Sequence, residues 1–200
     1  MSTCIRPIKH LADYNITGPL NAIAKAIQKC DTDNQPGERS ISLSKYREFL
    51  DGFQLNKQNL LDSVVRRPIT FTLNRTVGNV SIHFPALNPQ LNIQTRNQRP
   101  LFRVIAVLGV VSDMAYSGDF KIYRPLNEKA HGYNCSFESA WFSAFAPFEG
   151  ISAELTIDPK ITLGETETLI LGAGIEFGNP VPGGVQAIKY SGSGKILATG

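Results

Sequence analysis

Leu169–Pro180 reads LILGAGIEFGNP, a run of branched and apolar residues broken by glycines at 172, 174 and 178. As a glycine loop it would cradle a phosphate and point to a nucleotide enzyme. As a strand it would belong to a packed sheet. The spacing G-x-G-x-x-x-G is one residue longer than the dinucleotide fingerprint, and that fingerprint also needs a helix directly after it. Asn179-Pro180-Val181-Pro182-Gly183-Gly184 follows instead, and proline cannot sit in a helix interior. The stretch is therefore expected to be a buried strand whose glycines allow a close approach or a bulge.

The segments around it have the same rhythm. LFRVIAVLGVV (101–111) is almost continuously apolar and β-branched, which suits a central strand buried on both faces. ITFTL (69–73) and VSIHF (80–84) alternate across the turn-rich NRTVGN and predict a hairpin. Its buried face would carry Ile69, Phe71 and Leu73 with Val80, Ile82 and Phe84, leaving His83 toward solvent. ISAELTI (151–157) alternates strictly, and DFKIYR (119–124), CSFESAWFSAF (135–145), GVQAIKY (184–190) and KILAT (195–199) complete a series of short strands. The Pro/Asn-punctuated 85–100 is a long connection.

Helical spacing is confined to the N-terminal part. GPLNAIAKAIQKC (18–30) places Leu20, Ile23, Ala24 and Ile27 on one face, and SLSKYREFLDGF (42–53) suggests a second short helix ending at Gly52. The expected architecture is mainly β, an antiparallel sandwich or jelly roll over residues 53–200 behind an N-terminal arm with short helices over 1–52.

A chain of 200 residues with 42% hydrophobic and 18% charged residues can bury a real core without staples. The net charge of +3 is small, and no stretch concentrates the basic residues, so nucleic acid is not an expected partner. Residues 1–100 carry 13 Lys and Arg against 7 Asp and Glu, and residues 101–200 carry 7 against 10. A positive and a negative end would favour head-to-tail contact between copies. Cys4, Cys30 and Cys135 are too scattered for a disulfide framework or a CxxC metal site and read as reduced thiols. No apolar run is long enough to span a membrane, and the first residues lack the pattern of a signal peptide, so a cytoplasmic location is expected.

Local motifs for chemistry are missing. SGSGKIL (191–197) has Lys189 where a phosphate-binding loop needs glycine and Ile196 where it needs Ser or Thr. His10, His83 and His131 have neither an i, i+4 partner nor an adjacent acidic pair, which gives no metal or cofactor signal. The aromatic cluster Tyr133, Phe137, Trp141, Phe142, Phe145 and Phe148 reads as core or interface filling, with Trp141 the natural platform if a sugar or base were to stack. Arg66 and Arg67, before Pro68, are candidate anion contacts, although a solvated strand entrance is the simpler reading. The residues singled out for binding or an interface are thus Trp141, Phe142, Tyr133, Arg66 and Arg67.

PGERSISLSKYREFLDGFQLNKQNLLDSVVRRPITFTLNRTVGNVSIHFPALNP (36–89), LFRVIAVLGVVSD (101–113) and ETLILGAGIEFGNPVPGGVQ (167–186) resemble, in that order, a family of uncharacterised proteins common in Bacteroidetes bacteria. Members show a basic RG-R turn before an L-GFEFN segment, a hairpin ending near IPSFVP, an F-LV-AA strand and a closing LFLVLGIEF-Q-VNG strand. The resemblance spans most of residues 20–190 and implies a bacterial protein with a helical N-terminal part and a C-terminal β-sandwich. This chain lacks or has shortened the glycine-rich G-IGG-TFY start and the long helical stretch of members. The family assigns no catalytic residue, so no role passes to any position here.

These readings together lead to the expectation of a non-enzymatic structural protein that self-assembles head to tail into a filament or tube. Chain ends that are packed rather than frayed would favour it further. The alternative is a sandwich that binds a carbohydrate or a protein partner through Trp141 or the 85–100 loop.

Overall fold

The computed structural model describes residues 2–94 and 99–200. Residues 95–98 of the long 85–100 connection lie outside the described residues. The chain is mainly β, with 39% strand and 16% helix, and its sheets are antiparallel, consistent with a β-sandwich.

The N-terminal part forms a short helix α1 (Arg6–Lys9), the longer α2 (Thr17–Lys29) and two 3₁₀ turns, Leu43–Lys45 and Arg47–Leu50. Helix α2 follows the expected spacing and buries Leu20 and Ile27. The segment 42–53 becomes two tight turns instead of one helix, and Gly52 ends it in the left-handed region at φ +77°. Two further single-turn helices follow, α3 (Leu61–Val64) and α4 (Pro89–Asn92), the second inside the long connection.

Strands β1 (Thr70–Asn74) and β2 (Asn79–Phe84) form the predicted hairpin, with Phe71 opposite Ile82 and Leu73 opposite Val80. Val80, Ile82 and Phe84 are buried as expected, but Phe71 on the edge strand β1 stays exposed, and Leu73 and the preceding Ile69 are only half-buried. Next comes β3 (Leu101–Ser112), then a small hairpin of β4 (Met114–Ser117) and β5 (Ile122–Pro125). The stretch 135–145 is two strands, β6 (Asn134–Glu138) and β7 (Phe142–Ser143), both paired to β3. They are separated because Ser139 exchanges hydrogen bonds with Val104 through its own N–H and its Oγ, which leaves Ala140 and Trp141 outside the ladder. The last strands are β8 (Ile151–Thr156), β9 (Glu167–Val181), β10 (Gly184–Ala187) and β11 (Ser193–Thr199). Strand β9 runs past Pro180, which sits opposite Val185 of the short edge strand β10, and the SGSG stretch supplies the start of β11 as well as the turn before it.

A large sheet has β3 and β9 at its centre, with β10 and β11 beyond β9 and β6 and β7 beyond β3. A three-stranded sheet β1-β2-β8 packs on one face through Val80, Ile82, Phe84, Ala153 and Leu155 against Phe102, Val104, Leu108, Leu171 and Ile175. The N-terminal arm and α2 cover the other face, where Cys4, Ile8, Leu11, Leu20 and Ile27 meet Ile105, Val107, Val111, Ile170 and Ile196. This is why β3 and β9 show no polar alternation: each is buried on both sides.

The glycines of β9 answer the opening question. A Cβ on Gly172 would stand 2.6 Å from Ile8 Cδ1, and one on Gly174 would stand 2.3 Å from Leu11 Cδ1 and 2.7 Å from the Ser193 carbonyl. On β3, a Cβ on Gly109 would fall 2.4 Å from the Cys4 carbonyl oxygen. The three positions share one face of the sheet and make a trough into which the chain's own residues 4–11 settle. The basic and acidic halves of the sequence therefore interleave, since residues 4–55 pack on β3, β9 and β11.

Candidate functional site

Where the arm leaves the glycine trough, the same face of the sheet carries charge. Arg103 on β3 stands directly opposite Glu176 on β9. Arg103 Nε donates to Glu176 Oε2 at 2.6 Å, and His10, just past α1, meets Glu176 Oε1 with Nε2 at 2.8 Å. Arg103 Nη1 also reaches Glu138 Oε2 at 2.6 Å, and its guanidinium lies 4.9 Å from the centre of the Trp141 ring. The Glu176 side chain is only 6% exposed. Burial pushes its carboxyl up, but the hydrogen bonds and charges of His10 and Arg103 outweigh that and hold it below the ordinary carboxylate range.

Above Glu176 opens a cleft of about 500 Å³, between the arm residues Lys9–Ile16 and the connection Ala187–Gly192 that joins β10 to β11. Its walls are mostly apolar, with Leu11, Ala12, Ile16, Ala187 and Ile188, and Tyr14, Asn15, Tyr190, Lys9 and Lys189 also line it. Two anchors fix the arm side. Buried Asn56 donates to the Leu11 carbonyl at 2.8 Å and accepts from Gly194 N–H at 2.8 Å, while Asp13 accepts from the N–H groups of Lys57 and Gln58. Tyr14 donates to the Gln54 carbonyl at 3.0 Å, and Lys57 stands 4.7 Å from its ring centre. Burial, with Asp13 adding, raises the Tyr14 phenol above its ordinary value.

Tyr190 on the opposite wall is unusual in two ways. Its φ is +59°, a region that non-glycine residues visit at a cost, and it is 71% exposed. Neither a hydrogen bond nor a ring or cation contact within the described residues explains its position.

The residues expected from the sequence are dispersed. Trp141 is half-buried outside the cleft lining, stacked on Arg103, and a Cβ on Gly178 would come within 2.8 Å of its ring. Phe142 packs in the sandwich core, its ring 5.8 Å from Phe102 and 4.7 Å from Phe148. Tyr133 packs against the same core and its hydroxyl accepts from the Asp158 N–H at 3.2 Å. Arg66 and Arg67 are exposed beside residues 86–94, bonded to the Gln94 side chain and the Ala86 carbonyl. That region borders a separate cavity of about 390 Å³ lined by Pro89, Ile93, Arg99, Phe145 and Phe177. His10 and Glu176 are 166 residues apart in sequence, so no local spacing announces the pair.

Two other polar groupings are internally satisfied. Asp113 accepts from Ser44 N–H and Oγ at 2.8 and 2.6 Å, and Glu167 accepts from Gly164 N–H and Thr166 Oγ1, so both carboxylates tie loops to the ends of β3 and β9. Burial keeps the Asp113 carboxyl above its ordinary value and His131 below its own. On the outer face of the small sheet, His83 Nδ1 is 2.9 Å from Ser152 Oγ, both residues exposed. Among the described residues no group of three or more His, Cys, Asp or Glu side chains is placed to hold a metal ion, and no helix is long and apolar enough to cross a membrane. Compared with protein-family models, curated proteins and solved structures, the chain matches none of them.

Proposed function

We propose that the chain is a non-enzymatic binding protein whose small-molecule site is the cleft between the N-terminal arm and the β10–β11 connection. The cleft itself carries the reading: about 500 Å³ of mainly apolar wall with a few convergent polar groups is the form that small-molecule sites take. The His10–Glu176–Arg103 set supports it as scaffolding. Both oxygens of Glu176 are engaged, which makes the carboxylate a brace between the arm and the sheet. Trp141 contributes by stacking on Arg103, a positioning part in place of the stacking platform that the alternative expectation gave it.

Amide chemical shifts recorded while fragment mixtures are added test this directly. Perturbations should cluster at residues 9–16, 176 and 187–192. Hits that cluster at Phe145 and Phe177, around the other cavity, would refute the assignment.

Self-association has its own supporting observation. Among the described residues strand β1 pairs only with β2, its sequence carries no charged residue, and Phe71 is 38% exposed on it. Such an edge is a template for another strand, so copies of the chain would join there. Sedimentation velocity of the wild type and Phe71→Lys over a range of concentrations is the check: a wild type that stays monomeric throughout eliminates this second reading.

A further inference from the structure

The lining of the cleft narrows its ligand to one chemical class. We propose that the site selects an amphipathic organic carboxylate, with a flat apolar or aromatic body between Tyr14 and Tyr190 and the carboxylate at the rim formed by Lys9, His10 and Lys189. This rests on the binding reading above and adds the ligand's charge and shape.

Charge gives the first argument. Neither Lys9 nor Lys189 takes part in an ion pair among the described residues, although both line the cleft. The one carboxylate among the described lining residues cannot serve as their counter-ion or attract a cationic ligand. Glu176 is buried and already holds His10 on one oxygen and Arg103 on the other. With two lysines outside any ion pair and no uncommitted carboxylate among the described lining residues, an anion is the missing partner. His10 fits the same role. Its Nε2 is committed to Glu176, which fixes the ring at the rim and leaves Nδ1 as its remaining polar atom.

Shape gives the second. Leu11, Ile16, Ala187 and Ile188 give the cleft an apolar wall that, with its two tyrosines, suits a flat apolar body. Tyr190 adds a physical sign of use. Its ring has no partner among the described residues, yet the backbone holds it at φ +59°, where glycine or asparagine would be at ease. A conformation that costs stability and makes no such internal contact is the pattern of a residue kept for a ligand.

Isothermal titration of the full chain with naphthalene-2-acetate, indole-3-acetate and 4-phenylbutyrate, each beside its primary amide, tests the class. At least one acid should bind, with its amide weaker by a factor of about ten or more, the size of one lost charge-assisted contact. The double variant Lys9→Ala/Lys189→Ala should weaken the acid by a similar factor and leave the amide unchanged. Tyr190→Gly should melt no lower than wild type, because the backbone strain is relieved, and should still lose the acid. An amide that binds as tightly as its acid, or an acid indifferent to the loss of both lysines, overturns the carboxylate assignment and leaves the cleft reading standing. If neither acids nor amides bind, the cleft reading falls together with it.

Discussion

Gly172→Ala tests whether the arm is seated on the sheet as described. The added methyl would meet Ile8 Cδ1 at 2.6 Å and Val107 Cγ1 at 3.0 Å, while the nearest backbone atom, the Lys195 carbonyl oxygen, is at an ordinary 3.6 Å. Carbon atoms rest about 3.5–4.0 Å apart, so the Ile8 side chain must yield by roughly 1 Å. Overpacking of this kind costs about 1–3 kcal/mol. Because φ at Gly172 is not left-handed, alanine also stiffens the unfolded chain and returns about 0.4–1 kcal/mol. The net loss is about 1–2 kcal/mol, which for a chain of this length lowers Tm by roughly 3–6 °C. Ile8→Val removes the atom that clashes, and alone it should cost about 1 kcal/mol as a core deletion. In the double variant the methyl added at position 172 takes up the space that Cδ1 leaves, so stability should be close to that of Ile8→Val. The two changes would then be coupled by about 1 kcal/mol or more. Urea melts of the four proteins supply the cycle, with Gly18→Ala as a control, since nothing lies within 4 Å of a Cβ there and it sits in α2. A Gly172→Ala variant as stable as wild type, or a double variant whose losses simply add, would mean that Ile8 does not rest on Gly172.

The buried pair should behave as charges in a poorly hydrated site do. Arg103→Ala leaves the Glu176 carboxylate with His10 alone and should cost about 2 kcal/mol in denaturant melts, less than a fully unpaired buried charge, whereas Arg103→Leu with Glu176→Leu should recover most of it; an equal loss in both would contradict this. Acid titration follows from the sign of the Glu176 shift. Its folded-state value lies below the ordinary 4.5, so it contributes stability above that pH and loses it as the pH falls through the folded value, and Glu176→Gln should flatten that limb of the stability curve. Asp113 runs the other way, since its folded value lies above 3.8 and its ionisation costs stability as pH rises through it. The cysteines should separate by reactivity: Cys30 is exposed and should react with a disulfide reagent at once, Cys135 slowly, and Cys4, whose thiol burial pushes up to about 11, only on unfolding. Early reaction of Cys4 would show that the arm lifts from the sheet.

Much of the fold could be read from local pattern because local pattern caused it. The prolines after Gly178 exclude a helix, and the unbroken apolar run of β3 implies burial on both faces, so the central pair of strands was legible. Strands β2 and β8 alternate because each shows only one face to the core, while the edge strand β1 keeps the alternating sequence but leaves Phe71 exposed. Strand β4 has no such contrast: all four of its residues are half-buried, and the sequence MAYS carries no period to detect. The break between β6 and β7 depends on the Ser139 hydroxyl replacing a ladder partner, a choice that any serine in CSFESAWFSAF could have made.

The candidate site lay beyond this kind of reading for a different reason. His10 and Glu176 look inert in sequence, each without a local partner, and they become a pair only because Gly172 and Gly174 let the arm lie flat enough on β9 to deliver His10 to the next same-face position along the strand. The glycines that resembled a phosphate loop thus do help to shape the cleft, by what they leave out. Removing side chains at 172 and 174 lowers the arm, lowering the arm sets His10 on Glu176, and the arm's far edge becomes one wall of the cleft. On that logic a bulky residue at Gly174, where the Ser193 carbonyl at 2.7 Å cannot give way as a side chain can, should disturb the cleft more than one at Gly172, even though neither glycine lines it.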